Sequence, residues 1–179
     1  MPCAGRVPSM ISIVVPVLNE SSAIAATLES VLSLEGEYEV IVVDGGSTDA
    51  TVSIAGHYAR VLASPRGRAL QMNVGAREAR GDVLVFLHAD TVLPSGAMAG
   101  IEHALANPRV VGGRFMVRLH HPGWAYRVIG FSINMRDRLI GGFTGDQAIF
   151  VRAGVFQALG GYRELRHVPL DVFPEFAPP

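Results

Sequence analysis

Hydrophobic positions in this chain fall into short unbroken runs separated by polar punctuation. ISIVVP (11–16), EVIVVD (39–44) and GDVLVFLHAD (81–90) are rich in Val and Ile and bounded by Gly, Asn, Ser or Pro. Such runs predict strands buried on both faces, as in a parallel sheet, in preference to fragments of helix. Between them the period changes. Ile24, Leu28, Val31 and Leu32 recur at the i, i+4, i+7, i+8 spacing of an amphipathic helix, which Asn19, Ser21 or Ser22 can cap and which ends near Gly36. Gly45-Gly46 then turns the second strand into Ser47-Thr48-Asp49, a cap and first-turn acid for a short helix to about Ala59.

RVLA (60–63) predicts a short third strand, and Ser64-Pro65-Arg66-Gly67 breaks the chain before a helix from about Arg68 to Ala79. Gly81-Asp82 turns into the fourth strand. Pro94-Ser95 caps a helix through about Ala106, ended by Asn107-Pro108, and VVGGRFMVRL (110–119) predicts a strand. Trp124, Val128, Phe131, Met135 and Leu139 recur at helical spacing within 122–140; GGFTGD (141–146) leads into strand QAIFVR (147–152) and a last short helix ending at Gly160-Gly161. Strand and helix alternate without an internal repeat. The expected fold is therefore α/β, a mostly parallel sheet with right-handed crossovers flanked by helices in three layers. In such a sheet ligands bind outside the carboxyl ends of the strands. The polar residues found there, Asn19 and Glu20, Asp44, and His88 with Asp90, should converge on one crevice.

Composition narrows the function. With 179 residues the chain supports one real core, expected over 10–164. Residues 1–9 read as an unstructured extension, and 165–179, with three of the eleven prolines in 174–179, as an irregular tail. Fifteen Lys plus Arg against sixteen Asp plus Glu leave a net charge of −1, so no global basic field draws the protein onto nucleic acid, and any anion site is local. Hydrophobic residues make up 49% and mean hydropathy is +0.32, yet no uncharged apolar run approaches the roughly 18 residues of a transmembrane helix. The start of the chain imitates a signal peptide, but Pro16 interrupts it and it runs into the first helix. The single Cys3 forms no internal disulfide, which suits a cytoplasmic protein.

Four ordered motifs, VVPVLNE, VIVVDGGSTDAT, GRALQMNVGA and GDVLVFLHADT, resemble glycosyltransferase family 2, inverting sugar transferases with a GT-A fold. The resemblance runs from about Ile11 to Tyr162. With GGRF (112–115) and GDQAIFVR (145–152), it looks most like a bacterial subgroup of transferases associated with radical-SAM and selenodomain proteins. It implies a nucleotide-sugar donor with a diphosphate leaving group, whose growing negative charge a divalent cation and cationic side chains neutralise. Asp90 matches the last acid of the family's DxD-type motif and is the implied ligand for Mg2+ or Mn2+. His88 departs from that motif, where an Asp is usual, and is a candidate for the ribose or for tilting the site towards Mn2+. The alternative for both is a plain role at the start of the helix near Ser95.

Asp44 matches the position that accepts a hydrogen bond from the nucleobase imide, which favours uracil and hence a UDP-sugar. Gly45 stands where many relatives carry a second Asp. Pro16, Asn19 and Glu20 are implied to line the other side of base and ribose, Asn19 being equally a helix cap. Arg66 and Arg68 flank Gly67 at the start of a helix, where two guanidiniums beside free backbone N–H groups suit a diphosphate; Gln71 and Asn73 read as supporting polar contacts.

Inverting transfer also needs a base near the acceptor hydroxyl. Relatives carry an acidic ED pair downstream of the segment matching ALGGYREL; here RHVPLDVFPEFAPP follows. Asp171 lies near the expected place, Glu175 is the next acid, and Asp146 of GDQ is the substitute. A truncated or frameshifted chain, and a nucleotide-binding protein without transfer activity, are the readings this departure leaves open. A nucleotidyltransferase is disfavoured by the absence of a Gly-rich triphosphate loop near the first strand. The acceptor is unknown. The helix expected at 122–140, with Arg127, Arg136 and Arg138, either packs on the sheet or meets a membrane interface bearing a lipid-linked acceptor. His120-His121 lacks a third ligand at zinc spacing.

Overall fold

The apolar runs form a single twisted sheet whose order reverses beside its first strand. The computed structural model describes residues 10–115 and 148–162. The chain divides into two compact units, and every described residue except Phe115 belongs to the first, Met1–Arg114 with Ala148–Glu164. In chain order the elements are β1 (Ile11–Val17), α1 (Ile24–Leu32), β2 (Tyr38–Asp44), α2 (Thr51–Ala55), β3 (Arg60–Ala63), α3 (Arg68–Glu78), β4 (Val83–Phe86), α4 (Ala97–Leu105), β5 (Gly112–Arg114), β6 (Ile149–Arg152) and α5 (Ala153–Ala158).

The sheet order is β3-β2-β1-β4-β6-β5. β1 through β4 are mutually parallel, whereas β6 is antiparallel to both β4 and β5. Val17 pairs with Asp44, Asp44 with Ala63 and Val14 with Phe86, so the carboxyl ends of four strands share one edge. Because β6 runs the other way, its first residue, Ile149, faces Phe86 at that edge, and Arg114, the last residue of β5, faces Ile149.

Burial explains the layering. Val14, Ile41, Val43, Leu84, Phe86 and Val151 form one face with Ala76 of α3 and Phe156 of α5. The alternate residues Ile13, Val15, Val42 and Val85 are fully buried as well, so the sheet is covered on both sides. Right-handed crossovers put α1 and α2, which step β1 to β2 to β3, on one face and α3, which returns from β3 to β4, on the other. Contacts agree: α1 touches α2, and α3 packs on β1 and β2. The rings of Phe86, Phe156 and Tyr162 meet tilted or edge-to-face at centroid distances of 5.1–5.3 Å, and burial pushes the Tyr162 phenol above its usual range.

The helix starts depart from expectation. Neither Asn19, Ser21 nor Ser22 caps α1; its first residue outside is Ala23, with no side-chain cap. α2 ends at Ala55, short of Ala59, and α4 starts at Ala97 after Gly96, with no cap from Ser95. Leu32 is 48% exposed although assigned to the apolar stripe of α1. At 100° per residue it lies about 80° from Ile24, outside the stripe that Leu28 and Val31 keep. β4 stops at Phe86, which leaves His88 and Asp90 beyond the ladder in a turn. The strand expected at 110–119 is present at Gly112–Arg114; its later part, the 1–9 extension, the 122–140 helix and the 165–179 tail lie outside the described residues.

Candidate functional site

The order reversal makes the site. β1 is flanked by β2 and β4, and the loops after β1 and β4 leave the sheet at the point where an open α/β sheet presents its crevice. α3 runs back against the strands, so its N-terminus, with Arg66, Gly67 and Arg68, reaches the same edge.

The loop after β2 is shaped by Asp44. The residue is 7% exposed, and its carboxylate accepts the backbone N–H of Gly46 at 3.0 Å and of Ser47 at 3.1 Å. An acid that bonds its own backbone two and three residues on folds a tight turn, and Gly46, at φ 94°, supplies the left-handed residue that turn requires. Two carboxylate oxygens have about four acceptor positions, so capacity remains for a ligand N–H.

The loops after β1 and β2 are stitched together. Asn19, with φ 55°, accepts Thr48 N–H on Oδ1 at 2.8 Å, and its own N–H donates to the Ser47 hydroxyl at 2.9 Å. Glu20 N–H donates to Thr51 Oγ1 at 2.8 Å, and Ser21 N–H to Asp49 Oδ2 at 3.2 Å. Asp49 also accepts the Thr51 hydroxyl and N–H. The hydroxyls of Thr51 and Ser21 hold its carboxyl well below the usual carboxylate range. Asn19 and Ser21 serve this clasp, and the cap position of α1 falls on Ala23, which has no polar side chain to offer. The Glu20 carbonyl accepts the N–H groups of Ala23 and Ile24 at 3.0 Å and starts that helix instead. Pro16 sits in β1, half-buried beside Val43.

Gln71 lies underneath. It is 4% exposed, and its Nε2 donates to the carbonyls of Val17 at 2.7 Å and Val43 at 2.8 Å. A Cβ at Gly45 would come within 2.9 Å of its Cδ, so residue 45 is glycine because the Gln71 carboxamide fills that space. Asn73, two residues on, exchanges two 2.8 Å hydrogen bonds with the backbone of Tyr162. The sequence marked both only as supporting contacts. A buried Gln in a helix facing a strand-end glycine was the available signal.

Arg66 and Arg68 are exposed, and among the described residues neither has a carboxylate partner. Across the crevice, Ala89 is buried and its carbonyl accepts the Thr27 hydroxyl. His88 is half-buried, and Asp90 is exposed with a single long 3.4 Å hydrogen bond from Thr91. Asp90 caps no helix. No cluster of three His, Cys, Asp or Glu side chains occurs among the described residues. One exposed carboxylate nevertheless fits a Mg2+-like cation, which takes one or two protein carboxylates and completes its shell with phosphate oxygens and water. Asp146, Asp171 and Glu175 lie outside the described residues. No described helix is long and apolar enough to cross a membrane.

Known proteins match this chain over the same span. A model of the family described as Glycosyl transferase family 2 matches residues 12–160. The chain is similar, at 32% identity over 169 residues, to a PGL/p-HBAD biosynthesis glycosyltransferase of Mycobacterium tuberculosis, an alignment that covers 86% of this chain and 63% of that protein. The chain thus spans under two thirds of the length of that relative. Among solved structures, a mannosyltransferase from Pyrobaculum calidifontis in complex with GDP-Man and Mn2+ superposes with a TM-score of 0.65 at 23% identity, over 90% of this chain and 50% of that one. Glucosyl-3-phosphoglycerate synthase from Mycobacterium tuberculosis, in complex with Mn2+, UDP and glucosyl-3-phosphoglycerate, gives 0.63 at 21% identity, over 83% and 58%. At these identities the likeness establishes the fold, which is that of the GT-A glycosyltransferases.

Proposed function

This chain belongs to glycosyl transferase family 2, and from that premise we propose that it transfers a sugar from a nucleoside diphosphate sugar, UDP-linked by preference, to a hydroxyl acceptor with inversion. The observation that carries the reading is the convergence on one sheet edge of a turn-forming acid at Asp44, the arginine-bearing start of α3, and an exposed acid at Asp90. In this reading Asp44 accepts the base imide N–H with the lone pairs its turn leaves over, and Asn19 and Glu20 line the base and ribose. Arg66 and Arg68, with the first N–H groups of α3, hold the diphosphate. Asp90 holds Mg2+ or Mn2+, as the Mn2+ in both superposed structures supports, with His88 beside it. When bound, that cation supplies positive charge to the leaving diphosphate.

The acceptor hydroxyl attacks the anomeric carbon from the face opposite the diphosphate, and a base takes its proton. Asp171 and Asp146 are the candidates. Calorimetry with UDP and GDP, with and without Mn2+, tests the donor site. Asp90→Ala should lower UDP affinity about 10–100-fold, the loss of one charge-assisted contact, and only when the metal is present. Equal affinity with and without metal in both proteins would remove Asp90 from its role. Binding of UDP with no turnover of any UDP-sugar would leave a donor-binding protein without transfer.

A further inference from the structure

We infer that Gln71 is a positioning residue that sets the spacing between the diphosphate end of the donor site, on α3, and the nucleobase end, at Asp44. The inference rests on the nucleotide-donor reading of the site and deepens it. α3 carries Arg68 in its first turn, and Gln71 follows three residues on, on the same helical face. What that face presents to the sheet is small. The buried residues of α3 are Gln71, Gly75 and Ala76, and a Cβ at Gly75 would collide with Val14 and Val43. The glycine and alanine allow close approach, with Val14 seated in the notch at Gly75 and Met72 and Val74 packed against the same core, but apolar contacts of this kind are non-directional.

The Gln71 carboxamide supplies the directional contact at this edge. Its Nε2 donates at once to the carbonyls of Val17, the last residue of β1, and Val43, which directly precedes Asp44 at the end of the neighbouring β2. Two hydrogen bonds from one nitrogen fix both distance and angle. The Gly45 backbone closes over the carboxamide, so a shift in the amide also moves the residue next to Asp44. The other polar contacts of α3 lie away from this edge: Asn73 holds Tyr162, and Glu78, at the far end of the helix, pairs with Arg60 at 2.6 Å.

A ligand held at two ends binds more tightly than either fragment only while the two subsites stand at the right separation. The test is the Gln71→Leu variant, measured against UDP, uridine and pyrophosphate with Mn2+ held constant. Positioning predicts that UDP affinity falls about tenfold or more while uridine and pyrophosphate each change by less than about twofold. Should Q71L fail to fold, Gly45→Ala, which displaces the carboxamide while keeping its chemistry, should give the same split. Parallel losses for all three ligands would show a merely structural amide, and unchanged UDP affinity would show no role; either overturns the inference. A wild-type protein that binds uridine and pyrophosphate but gains nothing from their linkage overturns it too, whereas wild type that binds none of the three overturns the donor reading itself.

Discussion

The buried hydroxyl of Thr27 in α1 donates a 2.5 Å hydrogen bond to the carbonyl of Ala89, the residue between His88 and Asp90. Thr27 is 2% exposed and Ala89 4%, so no water replaces the partner if the hydroxyl is removed. The turn that presents the candidate metal ligand is therefore held from a helix that starts more than sixty residues earlier.

Thr27→Val keeps the shape of the side chain and orphans a buried carbonyl, which typically costs about 1–3 kcal/mol. Thermal unfolding should show a clear drop in Tm for T27V and a smaller one for Thr27→Ser, which retains the hydroxyl. In calorimetry T27V should also weaken the Mn2+-dependent part of UDP binding more than the metal-independent part. Equal melting temperatures for the Val and Ser variants would dismiss the hydrogen bond as the cause.

Arg68 allows a cleaner separation of binding from stability. It is exposed and has no carboxylate partner among the described residues. Arg68→Ala should leave Tm nearly unchanged, within about 0.5 kcal/mol of stability, yet weaken UDP by about 10–100-fold, one charge-assisted contact. Uridine, which lacks the diphosphate, should bind both proteins alike. A matching loss for uridine would place Arg68 somewhere other than the phosphate subsite.

The strands were legible because burial on both faces leaves a mark that a single sequence carries: unbroken Val and Ile. β1 and β2 fall within a residue of their runs. The caps were not legible. Asn19 and Ser21 have the residue types of helix caps, but their partners, Ser47 to Asp49, lie 28–29 residues away on another strand's loop, and local spacing cannot distinguish a cap from a long-range clasp. Asp44 was found by motif resemblance, while its turn chemistry explains why Gly46 follows it. Thr27 escaped for the same reason as the clasp, and Gln71 read only as a supporting contact, because the partners of Gln71 are 54 and 28 residues distant and that of Thr27 is 62, and neither residue type is unusual in a helix.

The clasp has a pH signature. Hydrogen bonds from Thr51 and Ser21 lower the Asp49 pKa in the folded protein below its unfolded value of about 3.9. A depressed acid contributes stability that is present above the unfolded pKa and disappears as pH falls through the folded one. Asp49→Asn, which turns a pure acceptor into a group with two N–H donors, should therefore lower Tm near pH 7. That difference from wild type should shrink as pH drops below about 4. A gap that stays constant into strong acid would mean the carboxylate charge plays no part.

The last prediction tests how closely α3 must approach the sheet. An alanine Cβ at Gly75 would lie 3.1 Å from Val43 Cγ2 and closer still to Val14 Cγ1. Both valines are fully buried strand residues, so neither has an empty direction in which to turn. Gly75→Ala gains helix propensity, worth up to about 1 kcal/mol at an exposed site, but overpacking of this kind typically costs about 1–3 kcal/mol. The steric term should win, and Tm should fall. Because the displaced helix carries Arg68, UDP affinity should fall with it while uridine binding holds. The Val14→Ala/Gly75→Ala double variant, which reopens the space, should restore UDP affinity more than it restores stability, since it exchanges a clash for a cavity. If G75A is instead as stable as wild type, close approach of α3 to Val14 is not what requires glycine at this position.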